Sequence, residues 1–159
     1  MVTSDTVDAL FASVRQLITG AVISVSPEGR RWLIEMPDGP PVFASLDPPR
    51  EALVITAPLG VPPAQSSGTL AVFLLQLNFA WLDSGGLRLA LDSAPGESQV
   101  HLIWEVPLSG LGPHEAHAAL TNFSVKARSL TTLIAQGGPS QDDGPDLSSP
   151  GDVDHMIRV

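Results

Sequence analysis

Cysteine is absent from the 159 residues, which excludes disulfide scaffolds, thiol catalysis and cysteine-based zinc sites. Basic residues are scarce. Eight Lys and Arg stand against 17 Asp and Glu, for a formal net charge of -9 and a pI near 4.6. Affinity for nucleic acid comes largely from Lys and Arg set against phosphates, so this composition argues against a nucleic-acid partner. Charge of either sign is low as well, at 16% of residues, where about 25% is usual. No apolar run is long enough to cross a bilayer, which takes about 20 residues. The longest, Leu70 to Leu82, is interrupted by Gln76 and Asn78. The first residues, Met1 to Asp8, carry Asp5 and Asp8 and no basic segment, unlike a secretory signal. The expectation is a soluble intracellular protein of one domain, with no membrane insertion and a surface left largely to apolar and neutral groups. Such a surface calls for a partner.

Periodicity predicts a helix over about Ser4 to Thr19. Ser4 is placed to cap it, and Val7, Leu10, Phe11, Val14, Leu17 and Ile18 form one stripe. Short apolar or alternating stretches follow at Ala21–Val25, Arg31–Met36, Val42–Leu46 and Leu53–Ala57, punctuated by Pro- and Gly-rich turns. A second helix is expected over about Ser67 to Asp83. It is apolar on every face, and such a helix must be covered all round. A small sheet covers one side only, so a second copy of the chain is the economical cover for the other, the alternative being a central helix packed between two layers of one monomer. That assigns Leu70, Phe73, Leu74, Leu77 and Trp81 to a homodimer interface. A hairpin comes next, with Leu87, Leu89 and Leu91 on one strand face and Val100, Leu102, Trp104 and Val106 on the other. A third helix starts at Gly112-Pro113 and stops at Gly137-Gly138-Pro139. The fold class is α+β with a mostly antiparallel sheet, in the order α-βββ-α-ββ-α. The domain spans 1–136. Residues 137–159 hold five Asp among Gly, Pro and Ser and are expected to form a disordered acidic tail.

No catalytic constellation emerges, and no cofactor or metal site is expected. His114 and His117 are three apart, whereas the zinc motif with two helical histidines sets them four apart. The run Asp142, Asp143, Asp146 lacks the calcium-loop spacing. No Gly-x-Ser-x-Gly elbow exists. What remains is apolar surface on an acidic body, a binding module. A small enzyme using His101 or His114, or a homodimer with some other role, are the rival classes.

The stretch Ala57 to Leu133 resembles the class I type III secretion chaperones, the CesT/SycE-like (Tir chaperone) family. The matching pieces fall in family order: Ala57-Pro58-Leu59-Gly60, then Leu74-Leu75-Gln76-Leu77-Asn78, then Leu87-Arg88-Leu89-Ala90-Leu91-Asp92. Val106-Pro107-Leu108, Leu111, Leu120 and Phe123 close the series. The resemblance implies a homodimeric, non-enzymatic protein of the bacterial cytoplasm. It would bind an extended N-terminal segment of a secreted effector and present it to the export apparatus and its ATPase. Extended segments bind by adding a strand to a sheet edge while side chains enter pockets. The expected effector-binding residues, between the first helix and the early strands, are Phe11, Val14, Trp32, Ile34 and Phe43.

Overall fold

The computed structural model describes residues 3–28, 30–80, 85–92 and 98–139. Helix α1 is Ser4–Leu17, with Thr3 rather than Ser4 at its N-cap position. It ends two residues before the expected Thr19, because Ile18 turns into extended backbone and buries its side chain. Strands β1 (Val22–Val25), β2 (Arg31–Glu35), β3 (Val42–Asp47) and β4 (Ala52–Gly60) follow. All four apolar stretches therefore pair, one strand more than the expected three. Pro58 does not close β4. The strand continues to Gly60 across a register shift between Pro58 and Gly60, the irregularity that lets a proline sit inside a ladder. Helix α2 is Ser67–Phe79, shorter than the span to Asp83, with residues 81–84 outside the described part. Strands β5 (Arg88–Leu91) and β6 (Val100–Pro107) and helix α3 (Pro113–Ala135) complete the order.

The six strands form one antiparallel sheet in the order β1-β2-β3-β4-β6-β5. The pleat sends alternate residues to opposite faces. One face carries Trp32, Ile34, Val42, Ala44, Leu53, Ile55, Ala57 and Leu102, all buried. Helices α1 and α3 pack on each other, and α3 on β4, to close this side. Phe11 meets Trp32 with ring centroids 5.5 Å apart, and Trp104 stacks on Phe123 at 6.3 Å. The Trp32 indole Nε1 donates to Asp8 Oδ1 at 2.7 Å, which fixes α1 over β2.

The third helix ends on a double glycine. The N–H groups of Gly137 and Gly138 bond back to Ile134 O and Leu133 O, and both residues take positive φ. Gly138 is buried with Leu70 Cδ1 3.8 Å from where its Cβ would stand. The folded body thus includes 137–139, the first three residues of the expected tail. The rest of that tail lies outside the described residues. No described helix is long and apolar enough to cross a membrane.

Candidate functional site

The sheet presents two edges and one face that α1 and α3 leave alone. At the first edge, the register of β1 on β2 decides which backbone groups are spent. In an antiparallel ladder, alternate residues turn both N–H and C=O toward the partner or both away. Ser26 N bonds Arg31 O, so Ser24 and Val22 face β2, while Ile23 and Val25 turn outward. Among the described residues nothing bonds those outward groups. The side chains alongside are apolar: Val22 and Val25 are exposed, and Leu17 of neighbouring α1 is partly so.

The face opposite the helices begins at the same edge. The register aligns Ser24, Leu33, Phe43, Thr56, Ile103 and Arg88 in one row across all six strands. Phe43 is 40% exposed there. Its ends are polar: Arg50 bonds Glu105 at 3.2 Å, and His101 Nε2 lies 3.2 Å from Asp92 Oδ2. Asp92 Oδ1 also accepts from the Gln99 N–H at 2.8 Å, which pins the carboxylate in a turn.

The second edge, β5, runs beside α2. The Asn78 carboxamide reaches across, donating through Nδ2 to Leu89 O at 2.8 Å and accepting from Leu89 N at 2.7 Å. A shallow depression of about 360 Å³ is lined by Asn78, Arg88, Leu89, Ala90 and Ile103. Helix α2 itself is divided. Leu70 is fully buried and Phe73 and Leu74 pack half-buried on the core, whereas Phe79 is 91% and Leu75 68% exposed. Val72 and, on β5, Leu91 are exposed with them.

The sequence-predicted residues divide accordingly. Phe11, Val14, Trp32 and Ile34 are core residues with at most 3% exposure. They hold α1 on the sheet and have no free surface to offer a client. Their apolar stripe, taken as a pocket lining, is what packs the protomer. Phe43 alone of the five is exposed, because it sits on the other side of the pleat. Of the dimer set, Leu70 is also core. Phe73, Leu74 and Leu77 are half-buried, and Trp81 lies outside the described residues. The α2 residues that do present surface are Val72, Leu75 and Phe79. A helix apolar on every face hides which side the protomer covers. Between Leu70 and Phe79 only Gln76 and Asn78 break the pattern, and Asn78 marks the side that meets β5.

Other titratable groups offer little chemistry. His114 is exposed and His117 half-buried on α3. No group of three or more His, Asp or Glu among the described residues could hold a metal ion. Burial pushes the Lys126 ammonium below its ordinary value of 10.5.

Residues 23–131, more than half of the chain, match the sequence profile of the Tir chaperone protein (CesT) family. The chain belongs to that family and is a chaperone of its kind. Its fold is also that of solved structures. The complex of ExsC and ExsE superposes with a TM-score of 0.66 at 21% identity, over 84% of this chain and 97% of that one. The HopA1–SchA chaperone–effector complex gives 0.58 at 16% identity, over 81% and 99%. YbjN of E. coli, described as a putative transcription regulator, gives 0.59 at 16% identity, over 86% and 95%. No curated protein sequence matches significantly.

Proposed function

We propose that this protein is a type III secretion chaperone that holds an N-terminal segment of a secreted effector as an extended strand along β1. Membership of the chaperone family and the fold shared with chaperone–effector complexes support the effector-binding role. The observation that carries the mode is the open β1 edge. Ile23 and Val25 present two successive outward pairs of backbone groups, beside exposed Val22, Val25 and Leu17. Main-chain bonds supply affinity on such an edge, and alternating side chains supply selectivity. One set of client side chains would lie over β1 toward α1. The other would lie toward Leu33 and Phe43.

In the same reading the protein is a homodimer in the bacterial cytoplasm, joined through Val72, Leu75 and Phe79 of α2. It carries out no covalent chemistry. It releases its client at the export apparatus, with the secretion ATPase as a further partner.

Ile23→Pro tests the mode. Proline removes an N–H that faces outward, so the β1–β2 ladder is untouched. Client affinity, measured with the N-terminal region of the effector encoded beside the chaperone, should fall tenfold or more, which is about 1.4 kcal/mol. The thermal midpoint should hold. Unchanged affinity would remove β1 from the binding surface, and turnover of any small substrate would overturn the reading as a whole. The likeness to YbjN keeps one alternative, a homodimer of this fold unrelated to secretion. Failure to retain any effector N-terminal region would favour it.

A further inference from the structure

We infer that Asn78 closes the β5 edge to strand addition, so that each protomer accepts an extended segment at β1 only. The inference rests on strand addition as the binding mode. Asp92 N bonds Gln99 O, and the β5–β6 register then puts Arg88 and Ala90 in the pairs bonded to β6. Leu89 and Leu91 turn outward. Both outward groups of Leu89 are taken by the Asn78 carboxamide, at 2.7 and 2.8 Å. A carboxamide carries a donor and an acceptor side by side, as a peptide group does. The side chain therefore occupies the place that one residue of an incoming strand would take. A strand adds through successive outward residues. With Leu89 spent, β5 has Leu91 alone, whereas β1 keeps both Ile23 and Val25.

The residue type is specific to this task. Asp would lack the donor and Leu would lack both groups, and Asn is a weak helix former in an otherwise apolar helix. Edge strands invite pairing with other chains unless something blunts them, and here the blunting comes from a helix side chain.

The test uses the full chain and a synthetic blocked peptide of alternating Val and Thr as a general strand probe. Wild type should bind one peptide per protomer, and Ile23→Pro should bind none. Asn78→Ala should bind two. In that variant the Leu89 amide should exchange about tenfold faster, the effect of one net hydrogen bond, while the Arg88 and Ala90 amides stay protected. Asn78→Asp sets a carboxylate oxygen against the Leu89 carbonyl in place of the donor, so the side chain should be driven off the edge; it too should bind two peptides, with the Leu89 amide exchanging faster. One peptide per protomer in both folded variants would overturn the inference, and so would failure of both to fold, which would make Asn78 a tether for α2. If wild type binds no peptide and Asn78→Ala binds one, the β1 reading fails while the edge-closing role stands. No binding by either would sink both.

Discussion

Asp8 and Trp32 show how one polar contact can orient an apolar core. The indole is fully buried, and its N–H reaches a carboxylate on the facing helix at 2.7 Å. Removing the acceptor strands a donor away from water, which costs about 1–3 kcal/mol. Asp8→Ala should therefore lower the unfolding free energy, read from urea titration, by that amount. Asp8→Asn, which keeps an acceptor oxygen, should recover part of it. Equal losses in the two variants would show that the charge, and not the hydrogen bond, carries the contact. Lys126 makes the opposite case. Burial lowers its affinity for a proton in the folded state, so the unfolded chain binds more protons between that lowered value and 10.5. Stability contributed at this site therefore rises with pH across the alkaline window and is lost as pH falls through the folded value. Lys126→Met should flatten that rise in urea titrations without lowering stability at neutral pH. A clear loss at neutral pH would mean the ammonium has a stabilising partner.

At the scale of elements, α2 carries the sharpest contrast. Leu70→Ala empties a filled core position and should cost about 2–5 kcal/mol. Phe79→Asp and Leu75→Asp, on exposed positions, should leave the fold intact and convert a species of twice 16.7 kDa into one of 16.7 kDa by light scattering. A wild-type monomer at micromolar concentration would end the homodimer proposal. The element order was readable because period and punctuation agree along most of the chain, as at Trp32 and Ile34 on β2 and at Gly112-Pro113 opening α3. What could not be read was which face meets which. Alternation set Trp32 and Ile34 on one face of β2, but only the strand register shows that Trp32 lies under α1 while Phe43, grouped with it as a pocket residue, lies on the bare side. A uniformly apolar α2 likewise has no period to separate Leu70 from Leu75. The open edge at β1 was hidden for a related reason. Edge status belongs to strand order, and neighbours in a sheet are not written in any one strand.

For the whole molecule, the described body ends at Pro139 with a buried glycine cap. A chain truncated after Pro139 should keep its thermal midpoint within a few degrees, since the removed sequence, rich in Asp, Gly, Pro and Ser, has few apolar residues to contribute to a core. Truncation after Gln136 should cost more, because it removes the two glycines that bond Ile134 and Leu133 and the packing on Leu70. Equal midpoints would show that the cap adds nothing. The strand order has a further consequence, one of time. β1 to β4 form a meander of neighbours, and each pairing can close as soon as its turn is made. β4 must wait for β6, whose pairing closes a loop of about 40 residues between Gly60 and Val100. During synthesis, therefore, the first 60 residues can form a sheet bare at both ends well before α3 exists to cover its helix face. Non-local pairing of this kind is the slow part of folding. The chaperone spends its own assembly in the state from which it is proposed to protect its client.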